Sequence, residues 1–512
     1  MSHLSGRSRY VAAGALFAVC VAPTFISYQP YAFRWDDSDY LWQSVAVSQA
    51  LWAGCSSLAQ RMHEVRAVMV GIRPPAMTLL GVPWGALNSW EAASKCLISL
   101  GILISIVAVA CFYLLMRVGV KGAFLAAGGV AVCAALGPWP PPAFQHSDAS
   151  AFLADGLFAW TCTAALLLIP HESRTKQQGT TRALGRGFIW GLLLSLGTMT
   201  KISFLYFASL ILPLLLFIRL RREGTRRCGA ALLGFAFGFM PAASYLLMFG
   251  RQSLQNGGAS SFGAVARFYS KPFAEVVRET LETSPGFYFY FLLLAAGAYL
   301  AVRTRKSILW ADVAAVLIAC GFGLIVLASP NLQIRYAFPS IVSLPLLLCV
   351  ALSGEAEPAP RRSAGLTAAL VLIALIAALV PTRRRAQRQA SLGRADAVLS
   401  QARLCQDSMV LLATDSPTLN GPLVRLASLL TQGSPQIQVS QLVARTELNL
   451  PISGDFSLMD QADAVVFQDH VIYPQFSNAR SAEYKRYLEG QSDYRRFKVW
   501  DDLDFYTRRC GR

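Results

Sequence analysis

The chain has 512 residues, of which 54% are hydrophobic and 15% are charged, and its mean hydropathy is +0.44. Soluble proteins carry about 25% charged residues, so this composition excludes a soluble globular enzyme and indicates a polytopic membrane protein. The net charge of +17 does not indicate nucleic-acid binding, because the basic residues cluster in short segments between apolar runs, as the positive-inside rule predicts.

Apolar runs long enough to cross a bilayer recur along most of the chain. The first is not followed by a small-residue cleavage site, so it is predicted to be a membrane anchor rather than a signal peptide. The runs 187–200 and 202–218 are short, and they also fit one long or broken helix. About eleven spans are predicted in all, namely 10–27, 95–116, 122–138, 150–169, 187–200, 202–218, 229–249, 286–302, 309–328, 336–353 and 365–381.

The basic segments predict which ends of the spans face the cytoplasm. With a cytoplasmic N-terminus, the segments 174–186, 219–227 and 303–306 all lie inside, and the tail after residue 381 lies outside. The triplet Arg383-Arg384-Arg385 departs locally from this topology. The predicted location is therefore the plasma (inner) membrane, crossed many times.

The first outer loop, residues 28–94, is long and partly apolar. Its pieces Tyr40–Trp52 and Ala76–Leu87 are too short to cross a bilayer, so they are predicted to be helices in the interface. The fold predicted for residues 1–384 is thus a mainly α transmembrane bundle with interfacial helices.

Residues 385–512 are less apolar and are predicted to form a small extracytoplasmic α/β domain. If this domain lies outside, Cys405 and Cys510, which bracket it, are expected to form a disulfide. The predicted strands are Met409–Thr414, Ala464–Phe467 and Phe497–Trp500, and the predicted helices are Leu423–Leu430 and Ala482–Leu488.

Charged residues lie at the predicted outer ends of spans rather than in the span interiors. A charge at the bilayer centre costs about 2.5–3.5 kcal/mol, and transporters accept this cost to hold a coupling ion. The pattern therefore favours a site at the outer surface. Its candidate residues are Asp36, Asp37 and Asp39 after the first span, Asp148 and Asp155 near the fourth, Lys201 between the fifth and sixth, and Arg335 before the tenth.

Five segments in this order resemble motifs of the GT-C superfamily of polytopic glycosyltransferases, nearest to the branch of protein O-mannosyltransferases and lipid A aminoarabinose transferases. The segment Asp36-Asp37-Ser38-Asp39-Tyr40 resembles the acidic pair and tyrosine of that family's first outer loop. Arg73-Pro74-Pro75-Ala76 is similar to its His-Pro-Pro-Leu element, with Arg in place of His.

Three later segments complete the resemblance, which covers most of residues 10–345. The family often has an Arg shortly before the Asp of the first of them, and this chain lacks that Arg. They are Phe152–Leu157, similar to a hydrophobic pair, Asp, a small residue and Leu; Gly197–Lys201, similar to a Leu-Thr-Lys turn; and Arg335–Pro339, similar to Arg-Tyr-x-x-Pro.

The resemblance implies a sugar donor carried on a polyprenyl phosphate and an inverting single displacement on the extracytoplasmic face. Asp36 or Asp37 is the implied general base, since partial desolvation and neighbouring acids raise a carboxylate pKa toward neutrality. Lys201, Arg335 and Tyr336 are expected to bind the donor phosphate, for which Arg offers paired hydrogen bonds.

The remaining candidate residues are expected to act on the acceptor side. Asp155 would orient the acceptor or the base, and Asp39, Tyr40, Asp148 and Arg73 would support it. No cofactor is predicted, although an acid pair also fits Mg²⁺ or Mn²⁺. The expected partners are the lipid-linked sugar, the bilayer and a glycan, lipid or protein acceptor, without nucleic acid.

Simpler interpretations of the same residues stay open. The acid cluster could simply solvate a loop, and Asp155 could be an acid in the first turn of a helix. Lys201 could extend its side chain to the lipid headgroups. Arg335-Tyr336 could be an interfacial anchor. Two other function classes also remain. A transporter or flippase of lipid-linked glycans predicts charges near the bilayer midplane, and a non-catalytic scaffold predicts that the candidate residues do not converge.

Overall fold

The part of the chain that the computed structural model describes is mainly helical, with one small sheet near the C-terminus. The predicted spans 10–27 and 365–381 lie outside this part, as does nearly all of 122–138. The described residues are 35–52, 57–69, 74–85, 87, 90–120, 128, 132, 154–174, 179–262, 272–283, 286–304, 309–330, 334–352, 384–414, 416, 419–430, 437–442, 452–469 and 480–510.

Twelve described helices precede the C-terminal domain. Two short 3₁₀ turns occur among them: Ile202–Phe204 follows the helix that ends at Thr200, and Ile334–Ala337 precedes the helix that begins at Phe338. Two separate helices therefore cover the run 187–218, and Arg219 near the end of the second lies over Trp190 of the first. The helices are α1 (Trp35–Trp52), α2 (Leu58–Met69), α3 (Ala76–Gly85), α4 (Trp90–Arg117), α5 (Ala154–Arg174), α6 (Thr180–Thr200), α7 (Leu205–Glu223), α8 (Thr225–Phe262), α9 (Phe273–Thr283), α10 (Gly286–Thr304), α11 (Trp310–Ala328) and α12 (Phe338–Leu352).

Three helices in the described ranges are long and apolar enough to cross a membrane, namely Ile202–Glu223, Thr225–Gln255 and Trp310–Ala328. Shorter apolar helices include Tyr290–Tyr299 and Phe338–Leu352. The mainly helical architecture is confirmed, while the count of about eleven spans remains a prediction.

Helix α5 is the centre of the helical part. Its residues between Gly156 and Pro170 carry no charge, and nearly all of its side chains are buried. A helix without a polar face is stable only where neighbours cover it on all sides. Helices α4, α6, α7, α11 and α12 pack around α5. Polar groups at either end of α5 are therefore inside the bundle.

Small residues bring α6 and α8 into close contact. A Cβ atom at Gly187 would lie 1.8 Å from the backbone oxygen of Ala231, and one at Gly234 would meet a backbone oxygen of α6 at 2.0 Å. Gly191 and Gly238, each four residues further along, are equally enclosed. This spacing is typical of tightly packed membrane helices. The contact fixes the position of α6, whose end leads into Lys201.

The predicted interfacial helices of the first loop correspond to α1 and α3. Helix α1 begins earlier than predicted, at Trp35, so the acidic cluster lies in its first turns rather than in a loop. A helix N-terminus favours carboxylates there. Helix α2 was not predicted, because Leu58–Met69 mixes charged and apolar residues without a clear apolar face.

The C-terminal domain is a five-stranded sheet of order β2-β1-β3-β5-β4. Strand β1 pairs in parallel with β2 and β3, and β5 pairs antiparallel with β3 and β4. Its elements are α13 (Arg384–Leu404), β1 (Met409–Leu412), α14 (Gly421–Leu430), β2 (Gln438–Gln441), α15 (Ile452–Gln461), β3 (Ala464–Gln468), α16 (Ser481–Glu489), β4 (Arg495–Trp500) and β5 (Leu503–Thr507).

The three predicted strands and two predicted helices of this domain are all present, with slightly different ends. Cys405, just after α13, forms the predicted disulfide with Cys510. The domain also contacts the first loop, because α14 packs against α1. Arg425 of α14 lies over the ring of Trp42, 5.5 Å from its centroid.

Candidate functional site

Asp155 lies in the first turn of α5 and is only 4% exposed. Burying an unpaired carboxylate is strongly unfavourable, so its charge needs a partner. Lys201 supplies it: the ammonium Nζ donates a hydrogen bond to Asp155 Oδ1. Two residues that sequence motifs had singled out separately are therefore one ion pair.

The break between α6 and α7 presents Lys201 to this carboxylate. Lys201 has an extended backbone (φ −148°, ψ 134°), and its N–H donates to the Gly197 carbonyl at 3.0 Å. A Cβ at Gly197 would lie 2.3 Å from the ring of Phe204, so glycine leaves the space that the following turn needs. The segment Gly197–Lys201 thus ends one helix and directs the lysine inward.

Aromatic rings flank the ammonium group. Lys201 Nζ lies 4.9 Å from the ring centroid of Tyr336 and 5.5 Å from that of Phe158. Both distances suit cation–π attraction. Phe158 continues into a cluster with Phe207 and Phe322, with ring centroids 4.7–6.4 Å apart. These apolar rings lower the local dielectric constant and strengthen the electrostatic interactions of the Lys201 ammonium group.

Tyr336 belongs to the 3₁₀ turn Ile334–Ala337, which leads into α12. The backbone of Arg335 lies in the same turn, next to Tyr336, while its side chain lies outside the described residues. The structure therefore brings Asp155, Lys201 and Tyr336 together. A lysine ammonium has three N–H groups, and the Lys201 side chain is 23% exposed. The arrangement can hold an anion beside a lysine that already pairs with Asp155.

The acidic cluster begins α1. Asp36 and Asp37 occupy the first turn of the helix, and their side chains lie outside the described residues. Asp39 is partly exposed and lies close enough to Arg425 to interact with its charge. Burial lowers the pKa of the Arg425 guanidinium, and the Asp39 carboxylate opposes that shift. Tyr40 is 4% exposed and belongs to the hydrophobic core.

Two predicted residues, Arg73 and Asp148, lie outside the described residues, so their roles remain predictions. Within the described part of the chain, no group of three or more His, Cys, Asp or Glu side chains is placed to hold a metal ion.

A second charged cluster, which was not predicted from the sequence, lies at the other end of α5. Glu172 accepts hydrogen bonds from Arg186 at 3.3 Å and from Arg219 at 3.2 Å. Arg174 donates two hydrogen bonds to Asp312, at 2.6 and 2.7 Å. The arginines had been interpreted only as topology signals. One sequence signal was available: Glu172 and Asp312 are acidic residues beside apolar runs, and basic segments lie close to both in the sequence.

Comparison with solved structures finds a related fold. The chain is similar to ArnT from Cupriavidus metallidurans bound to undecaprenyl phosphate, with a TM-score of 0.55 and 12% identity over 97% of this chain and 98% of that one. The apo state of that ArnT gives the same TM-score and identity over 98% of each chain. AglB, the oligosaccharyltransferase of Archaeoglobus fulgidus, has a TM-score of 0.49 and 13% identity over 91% of this chain and 70% of that one.

No protein-family model matches the chain, and no curated protein matches it. At 12% identity the likeness to ArnT concerns the fold. It supports the fold that the sequence motifs predicted.

Proposed function

We propose that this chain is an integral-membrane glycosyltransferase, which moves a sugar from a polyprenyl-phosphate donor to an acceptor on the extracytoplasmic face. The observation that carries the proposal is the Asp155–Lys201 ion pair beside the ring of Tyr336. It unites residues of three sequence segments that resemble family motifs, and two of these residues, Lys201 and Tyr336, were predicted to bind the donor phosphate. The fold supports the same conclusion, because the ArnT structure that shares it contains undecaprenyl phosphate.

Lys201 is the group proposed to bind the donor phosphate. As the sugar leaves, negative charge grows on that phosphate, and a fixed cation in a low-dielectric site stabilises it. Asp155 holds the ammonium in place, a role we prefer to the predicted orientation of the acceptor. Arg335, adjacent to Tyr336 in the chain, would add a second cation. With two cations on the phosphate, the proposed reaction invokes no metal ion.

Asp36 or Asp37 is the proposed general base. The base would take the proton from the acceptor hydroxyl or amine while that group attacks the anomeric carbon, and the polyprenyl phosphate would leave from the opposite face. One bond forms as the other breaks, so the sugar configuration inverts.

The distribution of charge in α5 distinguishes this proposal from a flippase of lipid-linked glycans. A flippase predicts ionisable groups near the bilayer midplane. The charged residues of α5 lie in its first and last turns, and the stretch from Gly156 to Pro170 carries none.

The experiment supplies radiolabelled polyprenyl-phosphate sugars to membranes that contain the protein. We expect label transfer by the wild type, and a fall of about 10²–10⁴-fold in Asp36→Asn or Asp37→Asn, whichever removes the base. Asp460→Asn, a change of the same kind on the exposed surface of the C-terminal domain, is the control. A chelator should leave transfer intact. Equal transfer by both Asn variants and the wild type, or no transfer of any lipid-linked sugar, would contradict the proposal.

The proposed face of the membrane has its own test. Ser38→Cys adds a thiol within the acidic cluster, and an impermeant maleimide added to intact cells should label it. Labelling only after the membrane is permeabilised would place the cluster in the cytoplasm and contradict the extracytoplasmic assignment.

A further inference from the structure

A cavity of about 500 Å³ lies where the C-terminal domain meets the first loop. Helices α1 and α2 form one side of it, and α14 with β2 forms the other. Boundaries between domains are preferred places for ligand sites. The function of this cavity is not explained by the Asp155–Lys201 site, because it is lined by different residues.

The lining combines one aromatic face with several polar groups. The half-buried ring of Trp42 lies beneath the Arg425 guanidinium, at 5.5 Å. Gln49 and Glu64 line the loop side, and Gln438 lines the domain side. Planar amide, carboxylate and guanidinium groups form paired hydrogen bonds with neighbouring hydroxyls, while an indole packs against an apolar ring face. This combination suits a sugar ring.

Two other kinds of occupant fit less well. A peptide could add to β2, the edge strand, but side chains of α14 already occupy its outward carbonyls: Arg425 Nε donates to Val439 O at 2.9 Å, and Ser428 Oγ donates to Ile437 O at 3.3 Å. A lipid chain requires a continuous apolar wall, which the charged groups of Glu64 and Arg425 interrupt.

The cavity lies along the helix that carries the proposed general base. Positions 39, 42, 46 and 49 follow one face of α1 at helical spacing, and the last three line the cavity. Asp36 begins the same helix six residues before Trp42, which is about 9 Å along the axis. An acceptor whose reactive group lies at the start of α1 therefore has this cavity as its next binding surface.

We infer that the cavity between α1, α2 and the C-terminal domain is the acceptor subsite, and that the acceptor is a carbohydrate chain with one sugar ring beside Trp42 and Arg425. The inference rests on the proposed function and adds the substrate class. Arg425, Gln438 and Glu64 bind ring hydroxyls, and the C-terminal domain thereby contributes to acceptor choice.

The test is a binding measurement with the full chain in lipid nanodiscs, probed with an array of defined oligosaccharides. We expect the wild type to bind a subset of them. Trp42→Leu should weaken that binding at least tenfold, and Gln438→Ala should weaken it about threefold. The matched control is Trp500→Leu, which removes another Trp that stacks with an arginine, Arg394, at 5.6 Å, far along the sheet on β4. Its binding should equal that of the wild type.

Two further probes separate the possible failures. Binding of polyprenyl phosphate by each variant shows that the protein is folded, and its loss in the wild type would count against the proposed function itself. If the wild type binds polyprenyl phosphate but no oligosaccharide up to about 1 mM, the acceptor inference is wrong. Oligosaccharide binding that neither variant weakens also overturns it, as does Trp42-dependent binding to a peptide library in place of oligosaccharides.

Discussion

Helix α5 carries a buried carboxylate near each end, and the two are neutralised differently. Asp155 pairs with a lysine whose side chain is 23% exposed. Glu172 contacts Arg186 and Arg219, and Arg219 is 1% exposed and stacked on Trp190 at 5.0 Å. Arg222 adds hydrogen bonds to the backbone carbonyls of the same helix end.

The difference separates a proposed binding site, at Asp155, from a structural cluster of Glu172, Arg186 and Arg219, which we call the lock. A guanidinium enclosed by protein and held by several hydrogen bonds cannot turn to another anion without leaving buried groups unpaired. A lysine is a compact charge on a flexible stem, with further N–H groups for a second anion. We therefore expect activity to depend on the Asp155 end and stability to depend more on the Glu172 end.

The largest expected effect is on catalysis. The double variant Asp155→Asn with Lys201→Met removes both charges of the pair, so no carboxylate is left buried without its cation. Sugar transfer should fall at least about 100-fold, or about 2.7 kcal/mol of transition-state stabilisation. The melting temperature should change little. Transfer of labelled sugar and thermal melting in detergent are the two measurements.

The matched control is the double variant Glu172→Gln with Arg219→Met at the opposite end of the helix. It should retain transfer within a few-fold of the wild type at temperatures where it is folded. If both double variants lose transfer to the same extent, the ends of α5 do not differ in function.

The next effect is on stability. Arg219→Met alone leaves Glu172 buried with fewer cations, which should lower the free energy of unfolding by about 3–5 kcal/mol. Arg221→Met, on the exposed face of the same helix, removes a stacking contact with Phe217 and should cost about 0.5–1 kcal/mol. Denaturation followed by tryptophan fluorescence compares them. Equal losses of unfolding free energy in the two variants would show that the Glu172 cluster does not stabilise the fold in this way.

The sequence predicted the Asp155 end of α5 better than the lock. Lys201 and Tyr336 were found because they lie in short motifs at helix ends, where local spacing carries the signal. The direct pairing of Lys201 with Asp155 was not predicted, since it depends on how α6 ends. The ion pairs of Glu172 and Asp312 were missed because their partners are distant in sequence. Such pairing cannot be inferred from composition or from the periodicity of apolar residues.

The C-terminal domain shows the same limit. Strands β1 and β3 are apolar runs, and their positions were predicted. Strand β2 was missed because three of its four residues, Gln438 to Gln441, are polar, as an edge strand covered by α14 permits. Strand β5 was missed because Asp504, which is fully buried, interrupts its apolar pattern. Lys485 and Arg496 neutralise that carboxylate and hold its pKa at about 2, against the effect of burial.

A smaller effect tests the geometry of the Arg174–Asp312 ion pair, at the same end of α5 as Glu172. Arg174 places two parallel N–H groups on the two oxygens of Asp312, an arrangement that lysine cannot reproduce. Arg174→Lys should therefore cost about 1.5 kcal/mol of unfolding free energy. Arg186→Lys, whose contacts with Glu172 are longer, at 3.4 and 3.3 Å, should cost about 0.5 kcal/mol or less. The reverse order would mean that paired geometry contributes nothing here.

The smallest effect concerns another buried carboxylate, whose pKa is raised rather than lowered. Asp407, in the C-terminal domain, accepts hydrogen bonds from Thr507 Oγ1 at 2.9 and 3.1 Å. Burial raises its pKa from 3.8 to about 6, although the Thr507 hydrogen bond lowers it. Between these pH values the folded chain keeps a proton that the unfolded chain has released. Stability should therefore decrease as the pH rises from about 4 to about 6, and level off above that.

Asp407→Asn should abolish that slope, which is measured as the difference in melting temperature between variant and wild type at each pH. Asp463→Asn is the control. Burial alone would raise the pKa of Asp463, but hydrogen bonds from Ser408 and Met409 lower it below 3.8, so its titration contributes to stability only at more acidic pH. Its removal should shift the melting temperature above pH 4 and should reduce the slope without abolishing it, because the Asp463 carboxylate also raises the pKa of Asp407. A slope that survives in Asp407→Asn would assign the pH dependence to another group.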